Sequence, residues 1–363
     1  MNKKKEFVKI IFLNLLFFSL VLVSCKANFN ENNTVNEEVN ETTRELTEEE
    51  KFKIRFIGDL DNEKYKFLKD DLVDEIIEDE NTNSTYDTQK LENNQILGKN
   101  GWIYHITEVE KRILMNEDVT NEDWYELVLT YMNKLEEVAK AQNKEIYYVL
   151  TPWKDLVYEE YLPDEYKEKV NDENDMDLYY EYVKNNSDIN FIYPKKELVE
   201  AKKYFRSFYT IDSHWNKLGG FLTANLLYDM MGLDINAVDT LDIIPLEYST
   251  YGKYDYDFEY KGRGEVLNEE IHGNDRANSR VIVSESNSNL DKEITIIGDS
   301  FRFWLYDIFK KDFKKASTIN RGSLGSTLQT EIIKNSDVIV VEIITDYFYD
   351  IIRTIEFIMK NIN

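Results

Sequence analysis

Short apolar runs bounded by polar or turn residues recur along the chain. They are Glu145 to Leu150 (EIYYVL), Ile189 to Tyr193 (INFIY), Ile294 to Ile297 (ITII) and Val338 to Ile343 (VIVVEI), with Ala316 to Ile319 a weaker fifth. Apolar residues fill both faces of each run, as in strands of a parallel sheet covered on both sides. Helical spacing fills the intervals. Trp124, Val128, Tyr131, Leu135 and Val138 recur at steps of three and four behind a Thr120…Asp123 capping signal. A second helix is predicted from Asn216 to Met231, with Gly232 as its stop. This alternation predicts an α/β three-layer sandwich with a mostly parallel sheet.

One segment breaks the pattern. Tyr248 to Tyr260 alternates tyrosine with Asp, Lys and Glu. Its period near two predicts a strand or hairpin inserted near residues 248–262, at the edge of the main sheet. Rings beside carboxylates are chemistry that can stack on sugars, although a solvated hairpin with locally packed tyrosines accounts for the same pattern.

The N-terminal region reads differently. Lys3, Lys4 and Lys5 precede an almost wholly apolar run, Ile10 to Val23, which ends at Leu22-Val23-Ser24-Cys25. The run is short for a membrane span and suits a secretion signal over residues 1–24. Leu22-Val23-Ser24-Cys25 resembles a bacterial lipobox, which implies an acylated cysteine at the mature N-terminus, with an uncleaved signal anchor as the alternative. Cys25 is the sole cysteine, which argues against disulfides and fits a thiol consumed by lipidation. Residues 25–50, rich in Asn, Glu and Thr, predict a disordered acidic tether. Residues 51–95 form a helical and polar lead-in, with Tyr65, Leu68, Leu72 and Ile76 at helical spacing and a polar stretch from Asn81 to Asn94. The catalytic body is placed at 96–363.

The chain has 363 residues, enough for one large core or two modest ones. Its formal charge of −26 excludes a nucleic-acid partner, since nothing would neutralise phosphate repulsion.

The chemistry lies in two strings, Gly298-Asp299-Ser300-Phe301 after an apolar strand and Asp212-Ser213-His214-Trp215. In open α/β sheets ligands bind beyond the carboxyl ends of the strands, where Ser300 would stand. Backbone N–H groups at the start of the helix that follows would face a bound oxyanion. A serine hydroxyl needs an imidazole to take its proton, and the imidazole needs a carboxylate to fix its tautomer. Among three histidines, His214 has a carboxylate two residues away, Asp212, on the same side of an extended loop; His105 and His272 lack one so placed. Asp299 is a second acid at the turn, where it could serve as a cap or as a carboxylate partner. Arg302 could orient an anionic group, but an exposed helix-start arginine is the simpler reading. Glu342 ends a strand at the same edge. One histidine with scattered carboxylates lacks zinc spacing, so neither metal nor cofactor is expected.

These strings resemble a known family. Gly298-Asp299-Ser300-Phe301 is similar to the first block of SGNH-type (GDSL-like) hydrolases. Asp-x-His-Trp preceding the serine departs from their usual order and resembles instead the extracytoplasmic SGNH-like proteins of polysaccharide O-acetylation, the alginate O-acetyltransferase and DHHW groups. Gly98 to Tyr104, Leu150-Thr151-Pro152-Trp153-Lys154 with Val157-Tyr158 and Leu162-Pro163, and Thr210 through Gly220 fit loosely too. At the second position of Asp-x-His-Trp this chain has Ser213 where the DHHW name implies histidine. The oxyanion blocks have no clear counterpart; Asn320 and Gly322 are the nearest. The resemblance implies a motif order permuted relative to ordinary SGNH hydrolases. It also implies an extracytoplasmic acyl-serine enzyme, which the lipobox-like Cys25 would anchor to the outer face of the cytoplasmic membrane. Such an enzyme would acetylate a cell-surface polysaccharide with acyl groups from a membrane-bound O-acyltransferase. A carbohydrate esterase or deacetylase, and a non-catalytic lipoprotein binding cell-wall polymer, remain open beside it.

Overall fold

Where both faces of a strand are apolar, the sheet is buried on both sides, and the central strands here follow that rule. In the computed structural model β3 (Glu145–Thr151), β9 (Glu293–Gly298), β10 (Lys315–Asn320) and β11 (Val338–Ile344) have nearly every side chain buried. The structure describes residues 44–73, 91, 94–115, 122–170, 173–247, 249–273 and 279–362. The signal segment, Cys25, the tether to residue 43, Ile76, most of the 81–94 stretch, Thr120 and Tyr248 lie outside the described residues. No helix among the described residues is long and apolar enough to cross a membrane.

The main sheet has the order β4-β3-β11-β9-β10-β8-β7, where β4 is Phe191–Ile192, β7 Val266–Gly273 and β8 Ser279–Ser286. Strands β4, β3, β11, β9 and β10 run parallel, and β8 and β7 extend the sheet antiparallel. The chain steps from β9 to its neighbour β10, then back across β9 to β11. With right-handed crossovers, those two opposite steps put their connecting helices on opposite faces. This is the predicted three-layer α/β architecture. The β7–β8 hairpin escapes a pattern search because β7 is largely exposed.

Helix α1 (Glu108–Met115) leads to α2 (Glu122–Ala141), which buries Val128, Leu129, Met132, Leu135 and Ala139, one stripe at helical spacing. Helix α3 (Asp175–Asn186) precedes β4 and carries its own capping box at Asn174. Helix α4 (Lys217–Met230) is buried on most sides and starts at Asn216, whose side-chain oxygen accepts the Leu218 and Gly219 N–H groups at 3.0 Å each. Gly232 ends it at φ 68°, in the left-handed region. Helix α5 (Arg302–Asp312) packs on α4 and on β8, β9 and β10. Helices α6 (Thr327–Asn335) and α7 (Ile351–Asn361) pack on each other, and α7 on α2.

The lead-in is packed rather than separate, since Thr47–Asn363 form one compact unit. Residues 48–52 are helical, and Ile57, Tyr65 and Leu68 are buried. The Tyr65 hydroxyl reaches the carbonyls of Asp239 and, at 2.8 Å, Leu241.

The tyrosine-rich segment differs from expectation. Strand β6 (Tyr256–Phe258) pairs with β5 (Ile243–Pro245) in a ribbon of its own, away from the main sheet's edge. Tyr254, Tyr256 and Tyr260 point inward. The Tyr256 hydroxyl donates to Asp71 at 2.6 Å, and the Tyr260 hydroxyl to the buried Asp312 at 2.5 Å. Tyrosine buries its ring once its hydroxyl is paired, so alternation here marks core positions.

Asn216 also ties this ribbon to the body. Its amide donates to the carbonyls of Arg206 at 2.7 Å and Tyr254 at 2.8 Å. Asn216→Ala removes a helix cap and strands two buried carbonyls, an expected loss of roughly 2–4 kcal/mol. Urea unfolding should show a lower midpoint with an unchanged slope; an unshifted midpoint would refute the assignment.

Candidate active site

Strand β9 ends at Gly298, where a Cβ would lie 2.3 Å from Glu342 Oε2, so the close approach of β11 demands glycine. The Asp299 N–H donates to Glu342 Oε2 at 3.1 Å, and the Thr151 hydroxyl donates to Glu342 Oε1 at 2.7 Å. Asp299 accepts the N–H groups of Phe301 (3.1 Å) and Ile344 (2.8 Å). The turn is thereby bound to β11 and, through it, to β3. Full burial, reinforced by the Asp299 charge, pushes the Glu342 carboxyl well above its ordinary range. Ser300 alone stands exposed at the crown of this turn.

The second half of the site is the loop from Phe208 to Trp215, closed by a bridge between those two residues. Trp215 is fully buried and meets the Phe301 ring edge-on at 5.1 Å, which locks the loop against the Ser300 turn. His214 Nε2 lies 2.6 Å from Ser300 Oγ, and His214 Nδ1 lies 2.7 Å from Asp212 Oδ1. The same Asp212 oxygen accepts the His214 backbone N–H at 2.8 Å. The imidazole lies along the Trp304 indole, ring centres 5.0 Å apart, with Phe301 at 4.5 Å. Trp304 is admitted by Gly220, where a Cβ would fall 2.4 Å from the Trp304 Cβ. Burial acts to raise the Asp212 carboxyl, but the hydrogen bonds and charge of His214, with help from Lys154, outweigh it and hold Asp212 below its ordinary value.

A serine, an imidazole and a carboxylate in this order make a proton relay beyond the carboxyl end of a parallel strand. Comparisons with known proteins agree with that architecture. Residues 96–243, a span that includes Asp212 and His214 but not Ser300, match a family model described as an SGNH hydrolase-like domain, acetyltransferase AlgX. The fold is that of the SGNH hydrolases. PatB1 from Bacillus cereus superposes with a TM-score of 0.53 at 16% identity, covering 70% of this chain and 97% of that one. A DHHW family protein from Eubacterium siraeum gives 0.52 at 13% identity, covering 75% and 96%. PatB1 with a sulfonyl adduct gives 0.50 at 16% identity, covering 68% and 94%. No curated protein sequence matches the chain. The resemblance to the alginate O-acetyltransferase and DHHW groups, drawn from the motifs, is borne out.

Within this SGNH-like fold the other candidates take structural places. Arg302 is not an exposed helix-start residue: it is buried, donates to the Asp299 carbonyl, and lies 4.1 Å from the Phe303 ring. Burial lowers its guanidinium to about 10. Glu342 and Asp299 brace the turn and have their oxygens engaged below it. Asn320, level with Gly298 on β10, spends its side-chain oxygen on the Gly322 N–H at 2.8 Å. That bond closes a local turn, so the structure gives Gly322 no role as an oxyanion donor. The Phe301 N–H, beside Ser300, is likewise committed to Asp299. His105 lies on β2 (Ile103–His105), which pairs with β1 (Gln95–Leu97), and His272 on β7, neither in the relay.

Sequence reasoning missed Lys154, whose ammonium is buried beneath the Asp212 loop. Its only signal was membership of the Thr151-Pro152-Trp153-Lys154 string.

The Asp212 interaction fixes the sign of a pH effect. Because its folded value lies below the ordinary 3.8, its contribution to stability is complete above 3.8 and is lost as pH falls through the lower folded value. In urea unfolding followed below pH 5, wild type should lose stability more steeply than Asp212→Asn. Parallel pH curves would show that the pair contributes nothing to folding.

Proposed function

We propose that the protein is an extracytoplasmic O-acetyltransferase that acylates a cell-surface polysaccharide through an acyl-serine intermediate. The observation that carries this reading is the continuous relay Ser300–His214–Asp212, with both links below 2.8 Å. The similarity to an acetyltransferase family model supports the reaction class.

The steps follow from the geometry. Ser300 Oγ attacks the acyl carbonyl while its proton passes to His214 Nε2; Asp212 holds the Nδ1 proton and stabilises the imidazolium. The imidazolium then protonates the departing donor group, leaving an ester on Ser300. A sugar hydroxyl enters, gives its proton to the same nitrogen and attacks the ester carbonyl, and Ser300 regains its proton as it leaves. Acetyl-CoA is not available outside the membrane, so a membrane partner must deliver the acyl group. Water in place of the sugar makes the same site an esterase, and the two reactions differ only in the acceptor admitted.

Purified protein should hydrolyse p-nitrophenyl acetate and, given a polysaccharide fragment, transfer acetyl to it. Ser300→Ala and His214→Ala should each lose roughly 10³-fold or more in kcat, and the double variant little beyond that, because the parts act as a unit. Equal inertness of wild type and Ser300→Ala, with both retaining polysaccharide binding, would replace catalysis by a binding role.

The anchoring proposal rests on the N-terminal sequence alone. Cys25→Ser should release the protein from membranes or block its processing, read by fractionation; unchanged retention would mean that the apolar run itself holds the chain.

A further inference from the structure

We propose that Lys154 is a positioning residue of the relay, pinning the backbone of the Asp212 loop so that Asp212 meets His214. Lys154 lies just beyond the end of β3, and its side chain is 1% exposed. Its three N–H bonds meet three backbone carbonyls: Tyr209 at 3.1 Å, Thr210 at 2.9 Å and Asp212 at 2.8 Å. The donor count of an ammonium is thereby filled entirely by one stretch of main chain.

The arrangement is specific. Carbonyls converging from three residues of one short loop repel one another unless a cation stands between them. An uncharged core residue of similar size would fill the space but leave those carbonyls unpaired. The stem of Lys154 is fixed from the other side, with the ammonium 5.5 Å from the Trp102 ring and 5.3 Å from that of Tyr104. The Tyr104 hydroxyl is itself tied to the Tyr158 carbonyl at 2.6 Å. The Thr210 carbonyl also accepts the Ile103 N–H at 2.8 Å, so the pin joins β2, β3 and the loop.

Burying this ammonium is costly. Desolvation lowers it to about 7 against the opposing charges of Asp212 and Asp155. A cost of that kind, incurred at the backbone of the very residue that carries the relay carboxylate, is explained by what it holds. The Asp212 carbonyl is bound to Lys154 while the Asp212 carboxylate is bound to His214. Freeing the first lets the second drift, and a displacement near 1 Å in such a constellation costs on the order of 10²-fold in rate.

The proposal rests on the acyl-transfer reading of the site, but its test separates the two. Lys154→Met keeps the stem and removes the pin; Lys154→Gln restores N–H donors without the charge and serves if the methionine variant does not fold. Each folded variant is examined by p-nitrophenyl acetate kinetics and by the low-field proton resonance of the His214 Nδ1–H bonded to Asp212. Lys154→Met should lower kcat about 100-fold with KM nearly unchanged, and the low-field resonance should broaden or vanish; Lys154→Gln should recover part of both. Folded variants with wild-type kcat and an intact resonance overturn the proposal. If wild type itself turns over no ester, the catalytic reading fails, and the resonance alone decides: lost on substitution, the pin stands; unchanged, it falls.

Discussion

Two loops separated by 86 residues of chain must meet at a distance of 2.6 Å, and neither brings its own rigidity. Everything around the site serves that meeting. The Ser300 turn is tied downward into the sheet by Glu342 and by Asp299, which between them bind β9, β11 and β3. The His214 loop is tied sideways by the buried Trp215 against Phe301 and from below by Lys154. Close-packed interiors transmit small displacements, so these ties set the hydrogen-bond length at the surface.

The design places polar and charged groups where a simple core would place aliphatic ones. Glu342, Arg302 and Lys154 are each almost fully buried. Their hydrogen-bond partners are mainly backbone groups of the two functional loops: three carbonyls for the Lys154 ammonium, the Asp299 carbonyl for Arg302 and the Asp299 N–H for Glu342. The cost in solvation is converted into definite backbone geometry at the two places where the chemistry needs it.

That same feature marks the boundary of what could be read from the chain. Strands β3, β9, β10 and β11 were legible because their residues are apolar on both faces, α2 because its apolar residues keep helical spacing, and α4 because spacing and cap agree. Ser300, His214 and Asp212 were legible because their order and spacing leave few other partners for so rare a residue as histidine. Arg302 was misread because a charged residue opening a helix is ordinarily solvated, and nothing local announces the carbonyl of Asp299 beneath it. Lys154 was invisible for the same reason: its three partners come from a loop more than fifty residues away. The tyrosines at 254, 256 and 260 were misplaced because alternation tells which residues share a side and not whether that side faces water. The exposed β7 hairpin gave no apolar rhythm to follow.

The corner that Phe301 and Trp304 form beside His214 has a kinetic meaning for the proposed acyl transfer. An imidazole flanked on two adjacent sides by aromatic rings and bonded at both nitrogens is held in one orientation. Whatever proton His214 receives at Nε2 must leave from that nitrogen, in the same direction, toward the same side of Ser300. In the proposed reaction donor and acceptor would then share a single doorway, and the first leaving group would have to clear it before the second nucleophile could enter. Traffic through that doorway, rather than any motion of the relay, would order the two halves of such a reaction.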